Sequence, residues 1–121
     1  MKVYRIAGFL FGAALLSVPA LASAADAPAG FTLCKACHSV EAGKNGVGPS
    51  LAGVYGRKAG TLSGFKFSDP HIKSGLTWDE PTLTKYLADP KTVIPGNKMV
   101  FAGLKNPDDV KAVIEYLKTL K

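Results

Sequence analysis

The clearest hydrophobic period in the chain lies near its C-terminus. Val110, Val113, Ile114 and Leu117 recur at i, i+3, i+4 and i+7, the spacing of one helical face. Asn106 stands before them as an N-cap and Pro107 takes the first helical position. Asp108 and Asp109 suit the positive end of that helix, and Lys118 and Lys121 lie at its negative end. A second helix is predicted after Thr77-Trp78-Asp79-Glu80, a capping-box pattern with Thr77 as the cap. Leu83, Tyr86 and Leu87 share its inner face, and Pro90 stops it. Lys91 to Ile94 adds a turn. Ser68-Asp69-Pro70 predicts a short capped helix ending before Gly75, and Gly30 to His38 predicts another.

Between these helices the period disappears. Residues 42–64 hold seven glycines, with Leu51, Val54, Tyr55 and Leu62 to bury, which predicts a long ordered loop. A loop of that length in a small domain is usually functional. Residues 95–104 form a second irregular stretch. No strand alternation lasts more than a few residues, and neither repeats nor low-complexity tracts occur. The predicted fold class is all-α, with short helices and long loops.

The N-terminus follows another pattern. Lys2 and Arg5 precede an apolar run from Ile6 to Val18, then Pro19 and the small-residue exit Ala22-Ser23-Ala24. That is the form of a secretory signal peptide. The run is too short for a membrane span, which needs about 20 apolar residues. Cleavage after Ala24 is expected, giving residues 1–24 as a signal peptide and 25–121 as one domain. The expectation is a soluble protein exported to the periplasm, with no stable membrane anchor.

Composition changes meaning with that division. The 121 residues carry a net charge of +6, which becomes +4 once Lys2 and Arg5 leave. A hydrophobic content of 47% argues against disorder, and two cysteines cannot build a disulfide-dense scaffold. The basic excess suits nucleic acid, an anionic membrane or an acidic protein face. No nucleic-acid motif is present and export separates the chain from DNA, so no nucleic-acid partner is expected.

Both cysteines fall in Cys34-Lys35-Ala36-Cys37-His38. C-x-x-C-H is the attachment string for a covalent c-type haem. On a helical turn, residues three and four apart share a face, so Cys34 and Cys37 can each form a thioether while His38 aims at the iron. A thioredoxin-like pair would want a βαβ pattern, and none is visible. A zinc site could draw on Cys34, Cys37, His38 and His71, but adjacent Cys37 and His38 are awkward on one tetrahedral ion. A sixth iron ligand is available in Met99, within Pro95-Gly96-Asn97-Lys98-Met99, the one methionine after the signal segment. His/Met ligation raises the reduction potential and suits electron transfer. His71 is read as a helix histidine near the haem rather than as a ligand.

With Gly48-Pro49-Ser50-Leu51, Thr77-Trp78, Tyr86-Leu87 and Ile94-Pro95-Gly96-Asn97-Lys98-Met99-Val100-Phe101 in this order, the chain resembles the bacterial class I (mitochondrial-type) cytochromes c from Phe31 onward. The resemblance implies a cytochrome c fold wrapped around one haem c. It implies His38 and Met99 as iron ligands. It implies cofactor contacts from Cys34, Cys37, Pro49, Arg57, Trp78, Tyr86, Asn97 and Phe101. The Pro49 carbonyl would accept the His38 ring N–H, Arg57 and Trp78 would meet a propionate, and Tyr86 would bond near the Met99 sulfur. Phe101 would cover the haem edge on the Met99 side. Gly30 and Phe31 would meet the last helix near Val113, Tyr116 and Leu117. Three departures stand out: Phe67 where the family has Tyr, His71 where it has Asn, and an N-terminal helix cut short before Cys34. A histidine beside a propionate would make the potential pH-dependent.

The function this implies is a monomeric, periplasmic, monohaem electron carrier and not an enzyme. Lys91, Lys98 and Lys105, with Lys44, would face acidic redox proteins. The donor would be a quinol-oxidising complex or a dehydrogenase, and the acceptor an oxidase, a reductase or a peroxidase. The alternatives are a haem-based ligand sensor or a peroxidase-like domain, each with a displaceable Met99. No acid/base pair for a distal site is visible in the sequence. A 97-residue domain with eleven glycines makes a marginal core, which a tethered haem would complete.

Overall fold

A computed structural model of the chain describes residues 26–121, together with Gly8 and Gly12. The signal segment and its cleavage after Ala24 lie outside the described residues. A 3-10 turn at Ala29–Phe31 leads into α1 (Thr32–Lys35), followed by α2 (Asp69–Lys73), α3 (Glu80–Ala88), α4 (Pro90–Val93) and α5 (Pro107–Thr119). The described residues contain no strand, only one isolated antiparallel bridge between Lys58 and Thr77. The fold is all-α, with the two long loops where the glycines and prolines put them.

α5 forms as its sequence dictates. Asn106 accepts from the Asp108 N–H at 2.9 Å, Pro107 opens the helix, and Val110, Val113, Ile114 and Leu117 are buried. Burial of one such side chain stabilises by about 1.5–3 kcal/mol. That face packs on α3, which contributes Leu83, Tyr86 and Leu87, and on the N-terminal 3-10 turn. Phe31 is fully buried and meets the Tyr116 ring edge-on at 4.7 Å. The N-terminal helix is short, yet it docks on α5 through Gly30 and Phe31. A Cβ on Gly30 would stand 3.3 Å from the Asp109 Cβ, so small size lets the two elements approach.

Helix starts match the sequence with one correction. Ser68 caps α2 by accepting from the His71 N–H at 3.3 Å. The cap of α3 is Asp79, not Thr77: its carboxylate accepts from the Thr82 N–H at 3.0 Å. Thr77 is held extended by its bridge to Lys58, and Trp78 N–H donates to the Arg57 carbonyl at 2.9 Å. A residue locked into that pairing cannot also turn the chain into a helix. The same bridge ties the long loop to the start of α3. The helix expected to reach His38 ends at Lys35, and the chain continues as a turn through Cys37.

Candidate functional site

The turn after α1 is fixed by backbone. His38 N–H donates to the Cys34 carbonyl at 2.9 Å, and Gly48 N–H donates to the Cys37 carbonyl at 2.8 Å. The loop thus folds back over the Cys34–His38 turn. Ser50, 2% exposed, holds that fold. Its hydroxyl donates to the Glu41 carbonyl at 2.6 Å and its N–H donates to Asn45 Oδ1 at 2.9 Å.

His38 Nδ1 lies 2.7 Å from the Pro49 carbonyl oxygen. A carbonyl only accepts, so Nδ1 carries the proton and Nε2 keeps a free lone pair. Such a bond orients a metal-binding imidazole and raises its basicity. Gly48 makes room for the ring: a Cβ there would stand 2.5 Å from His38 Cε1 and 2.7 Å from Nδ1. Sequence reasoning missed the roles of Gly48 and Ser50. The only sequence signal for them was the run Gly48-Pro49-Ser50, and contact with a ring ten residues away cannot be read from it.

Every predicted site residue lines one cavity. Cys34, Cys37, His38 and Pro49 come from the N-terminal part, Arg57 from the long loop, Trp78 and Tyr86 from around α3, and Asn97, Met99 and Phe101 from the second loop. The cavity holds about 200 Å³. One water needs only ~10–15 Å³, so this is no packing defect. Its walls are mostly apolar and aromatic. Trp78 and Tyr86 rings lie 4.7 Å apart, and Phe67 stacks on His71 at 4.9 Å. Burial pushes the Tyr86 hydroxyl up to about 12, so it stays neutral.

The donor set fits a haem on several counts. No disulfide joins Cys34 and Cys37, and burial raises the Cys34 thiol, which argues against an activated redox thiolate. Among the described residues no group of three or more His, Cys, Asp and Glu could hold a metal ion, which removes the zinc reading. His38 and Met99, an imidazole and a thioether, line the same cavity. Arg57 lines it too, donating to the Ala52 carbonyl at 3.2 Å, and burial lowers its pKa. Among the described residues Arg57 forms no salt bridge, so a half-buried cation faces the cavity without an anion. A haem propionate would supply one.

Comparison with known proteins agrees. The cytochrome c family model matches residues 24–121. The chain is 99% identical over 97 residues to cytochrome c2 iso-2 of Magnetospirillum molischianum, covering 80% of this chain and 100% of that one. It is 66% identical over 97 residues to cytochrome c2 of Rhodoplanes tepidamans, covering 79% and 99%. Among solved structures, cytochrome cH from Methylobacterium extorquens superposes with a TM-score of 0.71 at 56% identity, covering 74% of this chain and 91% of that one. Haem c is the cofactor, bound covalently through Cys34 and Cys37. The chain belongs to the cytochrome c family, as a bacterial class I member.

Proposed function

We infer that this protein is a single-electron carrier whose haem iron is held by His38 and Met99. The observation that carries the reading is the His38–Pro49 bond, which leaves Nε2 free toward a cavity that Met99 also lines. When bound, the haem supplies one-electron Fe(II)/Fe(III) chemistry. The chain's own residues do the rest. Pro49 and Gly48 orient the imidazole, and Trp78, Tyr86 and Phe101 line the cavity with aromatic surface that keeps water out. Arg57 offers a charge to a propionate. The protein is a carrier rather than an enzyme.

Residues 1–24 are proposed as a cleaved signal peptide and 25–121 as the domain released into the periplasm. In support, the Magnetospirillum molischianum relative is covered end to end by 97 residues, the length of 25–121. No helix among the described residues is long and apolar enough to cross a membrane.

Partner docking is proposed at the cavity mouth. Leu33, Val47 and Val100 are 63%, 80% and 95% exposed there, with Lys98 beside them. Lys91 and Lys105 are exposed nearby in sequence, while Lys44 pairs with Glu41 at 2.6 Å. An apolar centre with basic neighbours suits acidic redox proteins and a small, salt-sensitive, transient contact. The donor is a quinol-oxidising complex or a dehydrogenase, and the acceptor an oxidase, a reductase or a peroxidase.

The test is spectroscopic. The oxidised protein should show the far-red sulfur-to-iron band, and Met99→Ala should remove it. The potential of that variant should fall on the order of 0.2 V, within the ~0.8 V range that axial ligands span. Ready CO binding by the reduced wild type at neutral pH would favour the sensor alternative instead.

A further inference from the structure

Asn97 lines the cavity, but its side chain is engaged with backbone. Nδ2 donates to the Pro90 carbonyl at 3.0 Å and to the Ile94 carbonyl at 2.8 Å. Oδ1 accepts from the Met99 N–H at 2.8 Å. Asn97 N–H also donates to the Ile94 carbonyl, at 3.1 Å. One amide therefore uses both its N–H groups and an acceptor on a single loop. The two carbonyls belong to fixed points, because Pro90 and Ile94 are fully buried. Beyond Met99, the next backbone N–H to donate among the described residues is that of Leu104, to the Leu87 carbonyl at 2.7 Å. Residues 100–103 cross the gap without one.

We propose that Asn97 is a positioning residue for Met99, a latch that ties the sulfur-bearing loop to α4 and sets how readily an external ligand displaces the sulfur. This rests on the reading that Met99 supplies the sixth ligand. The physics is a population effect. A nitrogen donor competes for the iron only in molecules whose Met99 loop has swung away, and its apparent affinity scales with that fraction. Removing hydrogen bonds that exist only in the closed loop raises the fraction.

The experiment titrates the oxidised holoprotein with imidazole and follows the far-red band. Asn97→Ala removes all three side-chain bonds and should bind imidazole about tenfold more tightly than wild type. Asn97→Ser keeps a weaker acceptor for the Met99 N–H and cannot reach both carbonyls, so it should fall between, at about threefold. It also carries the test if Asn97→Ala cannot be obtained as holoprotein. Asn106→Ala serves as the control, since it removes the α5 cap beyond the Leu104–Leu87 bond that ends the loop and lowers stability generally. Its imidazole affinity should match wild type. Wild-type affinity in both Asn97 variants overturns the proposal, and so does an equal gain in Asn106→Ala. The underlying reading fails separately: then the wild-type band is absent, or it survives in Met99→Ala.

Discussion

His38 and Met99 reach one cavity from segments built in different ways. The His38 side is a continuous backbone construction. Its turn is closed by Cys34 and Cys37 carbonyls, and the ring is fixed by the Pro49 carbonyl with Gly48 pressed against it. Two thioethers then tie that segment to the cofactor. The Met99 side is a Pro/Gly loop that leans on others: on α4 through Asn97, on α2 through Gly96 against Pro70, and on the Lys66 carbonyl through Lys98 at 3.1 Å. One proposed ligand is held by the backbone of its own turn, the other by a loop fixed largely through side-chain hydrogen bonds. Local stability varies across a fold in this way, and the segment with fewer backbone bonds opens first. Exchange of an iron ligand should therefore begin at Met99.

The largest expected effect removes the anchor that both sides share. The double variant Cys34→Ala/Cys37→Ala cannot tether haem, and it leaves a cavity of about 200 Å³ in a domain with a marginal core. It should yield no holoprotein, and the apoprotein should show no cooperative thermal transition by circular dichroism. A sharp transition would mean that α3, α5 and the 3-10 turn suffice alone. Next come two glycines that divide the sides. Gly48→Ala places a Cβ against the His38 ring, which the Pro49 bond prevents from yielding, and overpacking of this kind costs about 1–3 kcal/mol. Denaturant midpoints should fall while the far-red band stays. Gly96→Ala forces a side chain to φ +84° and brings its Cβ to 3.1 Å from Pro70. The left-handed conformation alone costs roughly 1–2 kcal/mol. Here the band should weaken at a smaller loss of global stability. Band loss in Gly48→Ala with none in Gly96→Ala would reverse the comparison.

Much of this asymmetry was legible before any coordinates. Period and caps placed the start and the buried face of α5, because Asn106, Pro107 and the Val110–Leu117 face are all local signals. C-x-x-C-H and Pro95-Gly96-Asn97-Lys98-Met99 named the cavity's two sides, since spacing carries that chemistry. The α3 cap was misread because the pairing of Thr77 with Lys58 is a contact nineteen residues apart, and local propensity cannot weigh it. Gly48 and Ser50 were hidden for the same reason. Asn97 was placed at the cofactor by resemblance, while its described hydrogen bonds go to backbone that only the folded loop brings together.

The smallest expected effect is electrostatic and belongs to the Met99 side alone. His71 sits on α2, next to the Pro70 that supports Gly96, and its ring stacks on Phe67 and lies 5.8 Å from Trp78. Burial lowers its pKa from the usual 6.5, so the folded protein favours the neutral ring. The unfolded chain then binds more protons between the lowered value and 6.5, and stability rises with pH across that window. Above it the stabilisation is complete, and it is lost as pH falls through 6.5 toward the folded value. The ring is only half buried, so solvent screening keeps the effect small. At the lower end of that window, where the folded ring takes up its own proton, His71 puts a positive charge at the cavity wall, disfavouring the oxidised iron, so the potential should be higher at low pH. His71→Asn should flatten both the potential and the stability below pH 6.5. Slopes that survive in that variant would place the titrating group elsewhere.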